Sequence, residues 1–262
     1  MKKEFDIFLT AIMFFTRIPC PHWVDHSKDL LNKSTRYFAL VGIIVGAFGG
    51  AIYYGASYLF GQDLALLLSM MGTIWITGAF HEDGFADMLD GFGGGWTKEK
   101  ILTIMKDSRL GTYGTVGLIF LLATKFLSLQ NIHGIQVVFM LIAGHSISRF
   151  FATILIYKLP YVRDDGSGKE KPSADNMQLK SLLLNSVFGL LPLLLFQEIT
   201  VFIVLIPCAI ATYLMAQFFK KWIGGHTGDC AGATQQVVEI VFYLSMLAFW
   251  KILCIYSCQL AV

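Results

Sequence analysis

The sequence predicts an all-α fold, a polytopic helical membrane protein with about seven transmembrane helices. Three observations predict it. Hydrophobic residues fill 55% of the 262 positions and charged residues only 15%, against about 25% charged in soluble domains. The apolar residues gather in runs near the ~20 residues that a helix needs to cross a bilayer. Basic residues fall between alternate runs, the asymmetry expected of a chain oriented by its positive charges. Mean hydropathy is +0.63. A soluble globule, a disordered chain and a disulfide scaffold are excluded together. Net charge is +2, so no nucleic-acid partner is expected. The five cysteines show no paired CxxC spacing and read as small hydrophobes. Residues 1–262 read as a single integral-membrane domain.

Taken in order, the segment 5–16 is too short and too acidic to cross, and is expected in the interface. It resembles a signal peptide, but no small-x-small cleavage site follows, so it reads as retained. Spans are expected at 37–60, 64–82, 112–130, 135–157, 182–197, 199–219 and 237–258. A tight hairpin is required at Gln197-Glu198-Ile199. With the N-terminus in the cytoplasm, the segments 1–36, 83–111, 158–181 and 220–236 share that side. They hold every one of the 20 basic residues except Lys125, Arg149 and Lys251, which lie inside spans. Arg149, beside His145, is a functional candidate simply because an intramembrane arginine is costly. Gly42-x-x-x-Gly46 and Gly46-x-x-x-Gly50 could pack helices within or between chains, which leaves a homo-oligomer open.

The stretch from Gly78 to Gly91 is the most informative. Asp83, Asp87 and Asp90 stand at i, i+4 and i+7, so a helix puts them on one face. Like charges at this spacing weaken a helix unless something neutralises them. A hard divalent cation such as Mg²⁺ is the simplest partner, held by one or two carboxylates together with substrate phosphates. A solvated acidic loop balanced by Lys98, Lys100 and Lys106 is the alternative. His81 reads equally as a base, a ligand or an interfacial histidine. Gly91-Phe92-Gly93-Gly94-Gly95 reads as a helix stop whose amides could face phosphate oxygens. Lys106 and Arg109 could clamp a pyrophosphate, or anchor the third span. Arg163 and the acidic turn Asp164-Asp165-Gly166 follow in the third basic segment. Asp229 stands in a second glycine-rich stretch, Gly224 to Gly232. It could cap the next helix, bind metal or orient a hydroxyl nucleophile. Acidic, basic and glycine-rich segments on one face suit metal-assisted phosphoryl-type transfer. Residue patterns alone do not name the substrate.

At these residues the sequence resembles the cobalamin synthase family, the adenosylcobinamide-GDP ribazoletransferases. The matching elements run in family order. They are Phe15-Thr16-Arg17-Ile18-Pro19, Tyr37 to Gly42, His81 with Asp83-Gly84-Phe85-Ala86-Asp87 and Asp90-Gly91, Met105 to Gly114, Leu159-Pro160-Tyr161 with Arg163 and Gly166, and Thr227-Gly228-Asp229 with Gly232-Ala233. Glu82, Phe85 and His226 depart from the family pattern, and Glu82 would add a metal ligand. The resemblance implies a Mg²⁺-dependent step late in cobalamin assembly, in a bacterial cytoplasmic membrane with the active site facing the cytoplasm. The 3′-hydroxyl of α-ribazole, or of its 5′-phosphate, would attack the cobinamide-linked phosphorus of adenosylcobinamide-GDP and release GMP. It further implies metal held by Asp83, Asp87 and Asp90, with phosphate charge met by Lys106, Arg109 and Arg163, and by Arg17 of the first motif. Asp229 or His81 would accept the hydroxyl proton.

Two rivals differ in testable ways. CDP-alcohol phosphotransferases share an aspartate-glycine-x-x-alanine core, but follow it with an arginine and a fourth aspartate. Here Asp87 follows Ala86, and only glycines and aromatics follow Asp90 closely. Transporters keep their sites near the bilayer midplane between repeated halves. No internal repeat is present here, and the acids sit at one edge.

Overall fold

The computed structural model describes residues 2–24, 27–163 and 177–260. The turn Asp164-Asp165-Gly166 lies outside them. Among the described residues eleven α-helices follow one another: α1 (Lys2–Phe15), α2 (Lys28–Ser34), α3 (Phe38–Ser57), α4 (Gln62–Thr77), α5 (Phe80–Gly94), α6 (Lys98–Ile104), α7 (Thr112–Gln130), α8 (Ile135–Lys158), α9 (Leu179–Leu190), α10 (Leu205–Ile223) and α11 (Gly228–Leu260). Short 3₁₀ segments at Thr35–Tyr37, Leu191–Phe196 and Ile199–Val204 extend α3, α9 and α10. Among the described residues there is no strand. The stretches 29–57, 112–130, 135–158, 179–196, 199–223 and 228–252 are long and apolar enough to cross a membrane. The pair α4 and α5, bent by 85°, makes a seventh span if its halves are counted together.

That bend corrects the expected span at 64–82, and its cause is local. Gly78 and Ala79 both adopt left-handed backbone, at φ 68° and 58°. Their N–H groups turn back to the carbonyls of Trp75 and Ile74, closing α4 in the manner of a helix C-cap. Hydropathy runs on through Ala79-Phe80, so the apolar pattern conceals the break. His81 and Glu82 consequently open α5 instead of closing α4. A second correction concerns Gly91 to Gly95. The helix continues to Gly94, and its glycines permit close packing. A Cβ on Gly91 would meet the Met105 side chain at 2.4 Å, and one on Gly93 the Tyr113 ring at 2.6 Å. The third correction is at the last span, which begins at Gly228 and not at 237. Thr227 Oγ1 accepts the backbone N–H of Cys230 and caps that helix, the role left open for Asp229.

The bundle is centred on α8, which packs along α3 and α11. The glycine stripe of α3 allows the first contact: a Cβ at Gly42 or Gly46 would collide with the His145 or Leu141 carbonyl, at 2.3 and 2.5 Å. The stripe therefore packs helices within this chain. The short 14-residue α1 buries Ile7 and docks Ala11, Ile12 and Phe15 into the interior against Phe38 and Val41 of α3. Turns at the two ends of the bundle meet one another. At one end Gln62 Nε2 donates to the carbonyls of Gln130 and Ile132. At the other the Arg17 N–H bonds the Ile76 carbonyl, and the 160–163 segment pairs with 224–228. That second end carries the loops with the candidate chemistry.

Candidate active site

The sequence around Arg163 and Asp229 determines how the site is built. Gly224, at φ 80°, ends α10. Gly225 lies where a Cβ would come within 2.1 Å of the Pro160 carbonyl. This closeness lets His226 N–H bond the Pro160 carbonyl and Val162 N–H bond the His226 carbonyl, forming a bridge between Tyr161 and His226. Arg163 is thereby held over the first turn of α11. Its guanidinium donates to Asp229 Oδ2 at 2.7 Å and to the Met105 carbonyl at 3.2 Å. The pair is well shielded, with the Arg163 side chain only 7% exposed and Asp229 19%. One arginine thus ties together three segments distant in sequence.

Beside this pair opens a cavity of about 550 Å³ lined by Asp83 and Asp87 of α5, Lys106, Ser108 and Arg163 from the loops, and Asp229. Phe14, Phe80, Met105 and Tyr161 supply apolar wall. Close approach of α5 to α11 makes this possible, since a Cβ on Gly84 would stand 3.0 Å from Asp229 Cα. Asp87 is half-buried and feels the negative charges of Asp229 and Asp83 against the positive charge of Arg163. Carboxylates crowded in this way favour a bound cation. Among the described residues no three side chains are already arranged as a metal site. The donor set nevertheless fits Mg²⁺, which takes one or two carboxylates and completes its shell with water and phosphate oxygens.

Several residues singled out in the sequence stand elsewhere. Asp90 accepts the N–H groups of Gly111 at 2.7 Å and Gly114 at 2.9 Å, so its carboxylate caps α7 and does not line the cavity. Arg109 is 87% exposed and bonds Asp107, whose carboxyl it holds below the usual carboxylate range. Arg17 packs its guanidinium over Gly78 and is not in the lining. Glu82 faces the bundle interior, where Gln236 Nε2 donates to it at 2.9 Å. His81 is buried, stacked on Phe38 with ring centroids 5.6 Å apart, and its Nε2 has no hydrogen-bond partner.

Sequence reasoning missed Phe14 and Phe80, whose aromatic character signalled only packing, and quoted Tyr161 in a matching element without giving it a role. It also missed Glu239, the centre of a buried polar network. Lys125 Nζ lies 3.0 Å from Glu239 and 2.6 Å from Gln236 Oε1. Tyr243 and Gln235 donate to the same carboxylate, and His145 Nδ1 is 3.5 Å from it. The helical spacing of Gln235, Glu239 and Tyr243, set against the intramembrane Lys125 and Arg149, was the available signal.

Fold and cavity together define a class: a polytopic membrane protein with an acidic and basic cavity at one end of its bundle. Comparison narrows the class. The cobalamin-5-phosphate synthase family model matches residues 7–247, and the chain belongs to that family. It is 44% identical over 249 residues to an adenosylcobinamide-GDP ribazoletransferase of Shewanella frigidimarina, covering 94% of this chain and 95% of the relative. The proteins of the same name from Shewanella oneidensis and Shewanella amazonensis are 42% and 41% identical over 254 residues, covering 96% and 95% of this chain and 97% and 98% of theirs. No solved structure matches. The chain is thus a membrane-embedded transferase of cobalamin biosynthesis.

Proposed function

We infer that the protein joins α-ribazole, or its 5′-phosphate, to adenosylcobinamide-GDP at the 550 Å³ cavity, on the cytoplasmic side of the membrane. The observation that carries this reading is the convergence of Asp83, Asp87 and Asp229 with Lys106 and Arg163 around one space, in a chain of this family. Two substrates and a diphosphate need both signs of charge: cations on the phosphate oxygens, and carboxylates for metal and proton.

Lys106 and Arg163 offset phosphate charge, Lys106 as a point charge and Arg163 as a planar donor already held in place by Asp229 and Met105. Asp83 and Asp87 would hold Mg²⁺, with Asp229 beside them where α11 packs on α5. Bound there, Mg²⁺ would neutralise the diphosphate and the developing charge on the leaving phosphate. The 3′-hydroxyl oxygen forms a bond to the cobinamide-linked phosphorus as the bond from that phosphorus to the bridging oxygen breaks. GMP departs with the electron pair. Asp229 takes the hydroxyl proton, because it lines the cavity, whereas His81 does not. Asp90 supports the site by fixing the start of α7.

The test is an assay of the detergent-purified protein with adenosylcobinamide-GDP, α-ribazole and Mg²⁺, following GMP and cobalamin together. Both products are expected in equal amounts, and both are lost on chelation. Asp87→Asn is expected to lower turnover by about 100-fold, the scale on which removing one preorganised electrostatic group acts. Full turnover by Asp87→Asn at saturating Mg²⁺ overturns the metal assignment. Absence of GMP from a folded sample overturns the reaction.

A further inference from the structure

A second, smaller cavity of about 90 Å³ adjoins the first. The two share Phe14, Phe80, Tyr161 and Gly228 in their walls, so the small one is a side slot of the large one. Its character is different. Among the described residues no aspartate, glutamate, lysine or arginine lines it. Phe15, Phe38 and Phe80 supply aromatic surface, while Gly228, Ala231 and Gly232 of α11 form a wall almost without side chains. His81 also lines it, seated between Phe38 and Phe80 at centroid distances of 5.6 and 5.4 Å. The His81 ring is buried, and its Nε2 lacks a partner. A buried nitrogen left unsatisfied is costly and marks a place where a ligand atom would complete a hydrogen bond.

We propose that this slot receives the benzimidazole ring of α-ribazole and that His81 Nε2–H donates to the ring nitrogen that bears no ribose. The proposal rests on the transferase reading above and assigns one of its substrates to a place. The chemistry selects among the groups that the two substrates offer. Phosphates are excluded by the lack of charge, and a corrin ring by size. Guanine presents several donors and acceptors along its edge, whereas the lining is mostly phenylalanine, aliphatic and glycine, with Thr35, Tyr161 and His226 the other polar side chains beside His81, and polar atoms buried there without a partner are costly. A dimethylbenzimidazole is apolar over both faces and carries one acceptor nitrogen, which the unpartnered His81 ring nitrogen meets when it carries the ring proton. Placed there, its ribose reaches through the shared mouth at Phe80 and Gly228 toward Asp87 and Asp229. His81 is then a specificity residue for the nucleoside and does not handle the hydroxyl proton.

The experiment compares α-ribazole with its indole counterpart, in which the free ring nitrogen is replaced by CH, in the detergent-purified wild-type protein with adenosylcobinamide-GDP and Mg²⁺. A KM at least about tenfold higher is expected for the indole nucleoside, in the range of one buried donor left unmade. In His81→Phe the two nucleosides become equivalent, through a rise in KM for α-ribazole, while KM for adenosylcobinamide-GDP stays unchanged. Equal KM values in the wild type overturn the proposal, and that comparison needs no variant to fold. A His81→Phe effect on adenosylcobinamide-GDP instead also overturns it. If the wild type turns over neither nucleoside, the transferase reading fails. Equilibrium dialysis of the two nucleosides against the wild type then decides the slot separately. Tenfold preference for α-ribazole upholds it and equal binding overturns it.

Discussion

Asp83, Asp87 and Asp90 look equivalent in the sequence, and the structure separates them. Asp83 and Asp87 face the open cavity, whereas Asp90 is held by two backbone donors at the start of α7. Helical spacing predicts a shared face but cannot show that a neighbouring helix N-terminus occupies part of it. Removing the Asp90 acceptors leaves two amides at the start of α7, those of Gly111 and Gly114, without partners. Asp90→Ala is accordingly expected to cost about 1–2 kcal/mol, as for loss of a helix cap, with a lower Tm in detergent. Asp90→Asn keeps one acceptor oxygen and should recover most of that loss. In both variants the Mg²⁺ concentration for half-maximal activity should stay at the wild-type value; a large rise would make Asp90 a metal ligand after all. Arg109 illustrates the same limit. Its motif is legible, but Asp107, two residues away, draws its guanidinium toward solvent.

At the scale of elements, most spans were legible because lipid demands long apolar helices. The expected 112–130 and 135–157 coincide closely with α7 and α8. The failures occur where backbone conformation or buried polarity decides. The bend at Gly78 and Ala79 is a matter of φ, invisible to hydropathy. The early start of α11 is hidden because Asp229, Gln235, Gln236 and Glu239 make its first turns polar. Gln235, Gln236 and Glu239 are instead the inner partners of α8, α5 and α7, and Asp229 is the partner of Arg163. Lys125 and Glu239 couple α7 to α11 in a buried ion pair, and breaking one side of such a pair costs about 3–5 kcal/mol. Lys125→Met is therefore expected to lower Tm sharply and reduce the yield of monodisperse protein. Lys125→Met with Glu239→Leu should be the less stable of the two proteins, since removing the carboxylate also leaves the buried Arg149 without its main opposing charge and Tyr243 and Gln235 without their acceptor. Thermal unfolding of both in the same detergent checks the order, and a double variant more stable than the single would show that Lys125 is the group that needs the carboxylate.

At the scale of the whole molecule, the chain alternates between two ends. The turns 58–61, 131–134 and 197–198 gather at one, and the segments 95–97, 105–111, 159–163 and 224–227 at the other. Basic residues concentrate at the second end, which also holds both cavities. On the positive-inside rule we propose that this end faces the cytoplasm, where nucleotide-activated substrates are available. Surface labelling tests this directly. Lys100 of α6 and Asn131 after α7 are both exposed and stand at opposite ends. In a background with the native cysteines replaced, Asn131→Cys should react with a membrane-impermeant maleimide in intact spheroplasts. Lys100→Cys should react only after permeabilisation. The reverse pattern would put the acidic cavity on the outer side, and would require adenosylcobinamide-GDP to reach the cavity from outside the cell.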